Sequence, residues 1–428
     1  MNQRRRNTEI NKPVRKKRRR KRKIRFFAVP ILMIAFFAIV GFKFIDTMEK
    51  AFMAFNAAEY MTERKTGSVI TDAKLTFTGD IMCHSYQYNE AYDSATGTYD
   101  FSHNFTDMKK YFDNADLVIG NLETVFAGED VGISDYPCFN SPDSFADAIK
   151  DAGFDVLTTA NNHSMDKRMA GVLRTLDVLD ERGIDHMGTY RSAEERDNIL
   201  IKDVNGIKIA FLSYTYGTNG IPVPEDWLVN RLDEELVKSD IARAKALNPD
   251  VIIVLPHMGN EYEEYVRDTF KDWAHMMLNA GADIVVASHP HVLQPMETVQ
   301  ITEDDGSTRT GFVMYSMGNF ISSQTTPPRN ASILLNIDLQ KKGDDTYIKK
   351  VSFVPIWTQF QNAQWQNHFV VRSVYEMLTL PEDQLINTVR SKDIPRLKEI
   401  HSQTTKMLLN RDIPLEEIQD EYVFYEVA

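Results

Sequence analysis

The chain has 428 residues, with 49 Lys and Arg against 61 Asp and Glu, a formal net charge of −12 and 43% hydrophobic residues. That composition excludes wholesale disorder, and the length allows up to about three domains, or one large α/β domain with additions. The charge is sharply divided: residues 1–25 hold 14 Lys and Arg and a single Glu, so residues 26–428 carry −25. So acidic a body would repel phosphate backbones, which argues against a nucleic-acid-binding enzyme.

In chain order, the basic arm (1–25) leads into an apolar run, FFAVPILMIAFFAIVGF, 17 uncharged residues from Phe26 to Phe42. As a helix it is roughly 26 Å long, and Lys43 can snorkel to complete a ~30 Å span. A transmembrane signal anchor is therefore predicted over 26–45, with a cytoplasmic N-terminus set by RKKRRRKRK and everything beyond outside the cell. A cleaved signal peptide would want a shorter basic region and small residues at both −3 and −1, and KAFMAFNAAEY offers no clean pair. The basic run is read as a topology determinant attracted by anionic lipid. Residues 46–72 are predicted to form a stalk.

From Ala73 short β-branched runs alternate with helical periodicity. Strands are predicted at 75–79, 116–120, 155–160, 207–214, 250–256, 283–288, 311–316, 332–339 and in KKVSFVPIW, with helices at SPDSFADAIKDAG, RMAGVLRTLDVLDERG, Asp233–Leu247 and Tyr262–Ala280. The alternation predicts an α/β layering over 73–340, followed by a C-terminal extension (341–428) of one strand and a mostly helical tail. Cys83 and Cys138 are too few for a disulfide scaffold and are read as free thiols.

Polar residues gather where the predicted strands end. LTFTG runs into Asp80 and His84; DLVIG into Asn121 and Glu123; DVLTTA into Asn161, Asn162, His163 and Asp166; DVIIVLP into His257 and Glu261; DIVVAS into His289 and His291. A lone strand-end Asp is usually a cap or turn former. Five such clusters at strand ends, which in an open α/β sheet line one crevice, point to a site instead. Imidazole, carboxylate and amide oxygen are the ligand set for one or two divalent ions such as Mn²⁺, Zn²⁺ or Fe, about 3.5–4 Å apart where there are two. Cys83 lacks an activating arrangement and is read as a packed side chain, and His103, His186, His275, His368 and His401 are read as structural.

The blocks TGDIMCH, GNLETV, TANNHSMD, PHMGNEYEEY, GADIVVASHPHVLQP and YSMGNF, in this order, resemble the CapA family of poly-γ-glutamate capsule biosynthesis proteins, itself similar to calcineurin-like metallophosphoesterases. The resemblance runs from about Leu75 to Asn336. It implies a metallophosphatase-like α/β/β/α sandwich behind one transmembrane helix, and a role beside the membrane subunits of a polymer synthase. Carried over block by block, it implies one metal on Asp80 and His291, with His84 as a further candidate, and a second on Asn162, His257 and His289, with Glu123 bridging. His163 becomes the general acid or phosphate-contacting group, paired with Asp166, while Asn121 and Glu261 orient ligands. Two departures stand out: His84 lies four residues after Asp80 where the superfamily has Asp-x-His, and Glu123 replaces the usual bridging Asp. Three functions remain open: a capsule assembly or export component with a metal site, a secreted metal-dependent phosphodiesterase or nucleotidase, and a non-catalytic scaffold that binds an anionic polymer.

Overall fold

A computed structural model describes residues 69–303 and 305–427. The predicted anchor, and the stalk up to residue 68, lie outside the described residues, and among the described residues no helix is long and apolar enough to cross a membrane.

Two sheets carry the fold. The first contains β1 (Ile70–Ile81), β2 (Leu117–Leu122), β3 (Val156–Thr158) and β4 (Asp185–Met187), mutually parallel in that order. The second contains β5 (Leu200–Val204), β6 (Ile207–Thr215), β7 (Val251–His257), β8 (Ile284–Val286), β9 (Met296–Thr302) and β10 (Thr308–Met314), ordered β9-β10-β8-β7-β6-β5. Alternation along the strands explains the layering. Leu75, Phe77, Ile119, Ile209, Phe211, Ile253 and Phe312 point into one apolar layer between the sheets. Their neighbours Val118, Leu122 and Leu157 face the other way, under α2 (Asp143–Ala152) and α3 (Arg168–Glu181), just past α1 (Ser85–Ala91) in the chain. Ala210, Leu212, Ile252 and Val254 likewise meet α4 (Glu234–Ala246) and α5 (Asp268–Ala280). The result is a mixed α/β fold of helix, sheet, sheet and helix layers, with central strands such as β2 and β7 buried on both faces, which is why VIIVLP reads as a continuous apolar run.

The C-terminal part differs from the expected appendage. β11 (Asn319–Ile321) pairs with β1; then β12 (Ala331–Lys342), β13 (Asp345–Gln361) and β14 (Asn367–Ser373) extend the first sheet outward from β1, and β15 (Tyr422–Glu426) pairs with β13. Residues 70–428 accordingly form one compact unit, with no boundary at 340. The physical reason is that β1 would otherwise be an exposed edge, and the β12–β13 hairpin covers it. Three helices of the tail are found as expected, at Val374–Thr379, Glu382–Thr388 and Ile394–Leu409.

Candidate metal centre

The strand-end residues do converge. β1 is bulged between Phe77 and Asp80, and Gly79 explains how: a Cβ there would lie 1.9 Å from the Gly318 carbonyl oxygen. With none, that carbonyl accepts the Asp80 N–H at 3.0 Å, so the chain entering β11 locks the first ligand in place. Asp80 is fully buried, as is Glu123 just past the end of β2.

Glu123 sits at the centre. Its Oε1 lies 3.6 Å from His257 Nε2 and 3.7 Å from His291 Nε2, and neither of its oxygens has a hydrogen-bond partner. Ligating atoms of Asp80, Glu123 and His257 fall within 4.8 Å of one another, as do those of Glu123, His289 and His291. Glu123 belongs to both groups, the position expected of a bridging ligand. His291 Nδ1 is also 3.2 Å from Asp80 Oδ2, and His257 Nε2 is 2.7 Å from Asn162 Oδ1. Asp80 Oδ2 and His289 Nδ1 are buried without hydrogen-bond partners. Orphaned buried acceptors are destabilising unless something else meets them. Four such atoms on Asp80, Glu123 and His289, in a set of imidazole, carboxylate and amide groups, fit one or two divalent cations.

The surroundings hold these ligands in aim. Asn121 donates to Asp80 Oδ1 at 2.8 Å, lies 3.3 Å from His257 Nδ1, and is fixed by the Thr158 hydroxyl, which donates to its Oδ1 at 2.8 Å. It thus touches both Asp80 and His257. Ser288 Oγ lies 2.9 Å from His257 Nδ1, and Asn319 Oδ1 2.9 Å from His291 Nδ1. Such partners select the tautomer that leaves the other ring nitrogen for a metal. His289 and His291 have φ of 108° and 58°, an uncommon conformation for side-chain-bearing residues. Strain of this kind persists where the fold over-determines it, and it clusters at functional sites.

Electrostatics follow the packing. Burial pushes Glu123 well above the ordinary carboxylate range, opposed by His291 and reinforced by Asp80. Burial alone would depress His291, but the Glu123 and Asp80 carboxylates outweigh it and hold the imidazole up at about 9. Burial and then the neighbouring imidazoles push His289 down to about 3 and His257 well below its usual value, keeping both neutral. Titrations this far apart within one cluster are common at functional sites.

His163 and Asp166 form the expected pair: Nδ1 lies 2.7 Å from Asp166 Oδ2, which also accepts the Phe139 N–H. The carboxylate selects the Nδ1–H tautomer and turns Nε2 outward.

Two expected site residues stand elsewhere. His84 belongs to neither ligand group. It caps α1, its Nδ1 accepts the Ser323 N–H at 3.3 Å, and its ring packs edge-on against Phe139. Its spacing from Asp80 carries it past the bulge and into the cap, and burial lowers it to about 4. Glu261 is exposed and hydrogen-bonds none of the ligands, although its charge reaches Glu123 and His291 through space. Close contacts run both within and across the two implied sets: His291 meets Asp80 and His257 meets Asn162, while Glu123 also groups His257 with Asp80 and His289 with His291. Cys83 and Cys138 are both free, and burial pushes the Cys83 thiol far up, as befits a packed side chain.

Four contributors escaped the sequence reading. Ser288 and Asn319 sit inside the quoted blocks but look like ordinary turn residues. Tyr216, just past the end of β6, packs 4.6 Å from the His289 ring. Arg329 lies 4.6 Å over the Tyr262 ring, itself 6.0 Å from His291, and among the described residues it forms no salt bridge. It has no periodic or spacing signal, since it arrives on the loop between β11 and β12.

Comparison with known proteins bears on this arrangement. The family model described as "Bacterial capsule synthesis protein PGA_cap" matches residues 74–324, more than half of the chain. The chain belongs to that family. It is 29% identical to "Capsule biosynthesis protein CapA" of Bacillus anthracis over 278 residues, 63% of this chain and 64% of that protein, so it spans less than two thirds of this relative. It is 28% identical over 323 residues to "PGA biosynthesis protein CapA" of Bacillus subtilis (strain 168), covering 74% of this chain and 77% of that one. Among solved structures, calcineurin-like phosphoesterase YfkN of Bacillus subtilis superposes with a TM-score of 0.41 at 14% identity, over 78% of this chain and 99% of that one. The PGA_cap match includes every residue of the two ligand groups.

Proposed function

We propose that this PGA_cap protein is a membrane-anchored, outward-facing component of capsular polymer biosynthesis or export, built around a divalent-metal hydrolase centre that acts on the polymer or its carrier. The apolar run Phe26–Phe42 behind a +13 arm supports the anchoring, and the names of its relatives support poly-γ-glutamate as the polymer. The observation that carries the metal reading is Glu123, fully buried, bare of hydrogen bonds and flanked by His257, His291 and Asp80.

Asp80, Glu123, Asn162, His257, His289 and His291 would hold the metal. A divalent ion in this position supplies Lewis-acid polarisation of a phosphoryl or carbonyl group and eases activation of water. The chain does the rest. His163, held by Asp166 through Nδ1, presents Nε2 to deliver a proton to the departing group. Tyr216 and Tyr262 wall the site beside His289 and His291. Arg329, which forms no salt bridge among the described residues, offers an anionic ligand one positive charge beside Tyr262 in an otherwise acidic body.

The test is complementation of a capsule-forming host that lacks its own relative, using the full-length chain. Asp80→Ala and His163→Ala are expected to abolish surface polymer while the protein still accumulates in the membrane and co-purifies with synthase subunits. Polymer made at the unmodified level by both variants would leave a scaffold and no chemistry.

A further inference from the structure

A second group of ligating side chains lies apart from Glu123 and shares no residue with that centre. Glu90 on α1, His103 in the loop that follows, and His368 on β14 bring one ligating atom each within 4.8 Å of the others. Glu90 Oε2 is 3.0 Å from His103 Nε2, and Glu90 Oε1 is 3.8 Å from His368 Nδ1. A tetrahedral ion with arms of about 2.0–2.1 Å has ligand-to-ligand edges of roughly 3.4 Å, which these two separations straddle.

The three side chains stand on a firm base. The Val371 N–H donates to the Asn104 carbonyl at 2.9 Å and the Asn104 amide donates to the Phe369 carbonyl, so the His103 loop is stitched to the strand that carries His368. Phe101, Phe105 and Phe369 are buried beneath. The two imidazoles stack with centroids 4.9 Å apart at 9°. A shared ion therefore requires one ring to turn, which partial exposure (27% and 33%) allows. The nearby Arg372 is paired with Asp107 at 2.7 Å, and Glu90 is the carboxylate that contacts both rings. Burial, and then His103, lower His368 and favour its neutral, ligating form. Two imidazoles and one carboxylate, with an open side toward solvent, suit a borderline divalent ion better than a hard one.

We infer that Glu90, His103 and His368 form a second divalent-cation site of zinc class, which staples β14 to α1 and so ties the C-terminal strands to the helix that follows Asp80. This reverses the structural reading that these two histidines receive from sequence.

The experiment uses untagged full-length protein in detergent, carrying His257→Ala and His289→Ala to disable the Glu123 centre. After dialysis against Zn²⁺, elemental analysis should find one zinc per chain, and tryptophan fluorescence should show a zinc-dependent rise in Tm. Adding Glu90→Gln and His368→Gln should weaken zinc binding by at least about tenfold and abolish that rise, because lost ligands are expected to weigh no less than lost outer partners. In the otherwise unaltered chain the same two changes should lower the zinc content by one ion, which keeps the test valid if the multiple variant does not fold. Zinc content and affinity unchanged by Glu90→Gln with His368→Gln would overturn the site. Absence of zinc from a folded His257→Ala, His289→Ala chain would overturn it equally, whatever the Glu123 centre does.

Discussion

Replacing Glu123 by Gln separates a metal site from a merely buried carboxylate, because the two readings predict opposite signs. In the metal-free protein each bare Glu123 oxygen carries a desolvation cost of roughly 1–3 kcal/mol. Gln removes the charge and keeps the shape, and His291 retains its contact with Asp80 Oδ2 at 3.2 Å. Metal-free stability should therefore rise by about 1–3 kcal/mol, or roughly 2–6 °C at about 2 °C per kcal/mol for a large domain. Metal reverses the order. At a concentration 100 times its Kd an ion adds about 2.7 kcal/mol to the unmodified chain, whereas a 100-fold loss of affinity leaves the variant about 0.4 kcal/mol. Thermal melts in EDTA and in excess Mn²⁺, on a His103→Gln, His368→Gln background so that only this centre reports, should cross. Equal metal increments in both proteins, or a metal-free variant less stable than its parent, would refute the reasoning.

Three further outcomes follow from the same geometry. Arg329→Gln should weaken binding of inorganic phosphate to the metal-loaded chain by about tenfold with metal content intact, because a charge-assisted hydrogen bond contributes about 1.5–3 kcal/mol; titration calorimetry reads this, and unaltered affinity would remove Arg329 from the site. Gly79→Ala places a Cβ 1.9 Å from a backbone oxygen that cannot swing aside, so a loss of more than about 3 kcal/mol is expected in denaturant melts, together with displaced Asp80 and lost metal. Glu421 accepts from Ser352 at 2.6 Å and Asn336 at 2.8 Å; burial works against its ionisation, but these donors outweigh it and hold the carboxyl below its usual range. A lowered pKa contributes stability that is present above the ordinary glutamate pKa and is lost as pH falls through the folded value. Between pH 5 and 3 the unmodified chain should thus lose Tm more steeply than Glu421→Gln, and parallel curves would contradict the linkage.

Strand and helix positions are legible from local chemistry. VIIVLP and IAFL are apolar runs because both faces of β7 and of most of β6 are buried, and SPDSFADAIKDAG carries its own start and stop, with Gly153 in the left-handed conformation that ends α2. The site was legible for a related reason: strands of one parallel sheet end on the same side, so polar residues after several strands must approach one another. That argument delivers Asp80 with Glu123 on the first sheet, and His257 with His289 and His291 on the second; the packing of the two sheets against each other brings the two sets together. It cannot say which pairs share an ion, because a difference of an ångström or two between partners depends on a bulge at Gly79 and on left-handed turns at His289 and His291.

From residue order alone came the divided charge, the apolar run, the layered class and a crevice rich in imidazole and carboxylate, since each rests on spacing within a few residues. Tertiary structure alone decided that His84 caps a helix, that Glu261 faces solvent, that Asn319 enters from β11 and Arg329 from the loop after it, that the last strands complete the first sheet, and that Glu90, His103 and His368 meet. Each of these is a contact between segments remote in the chain, where sheet pairing and close packing, not local propensity, determine distance.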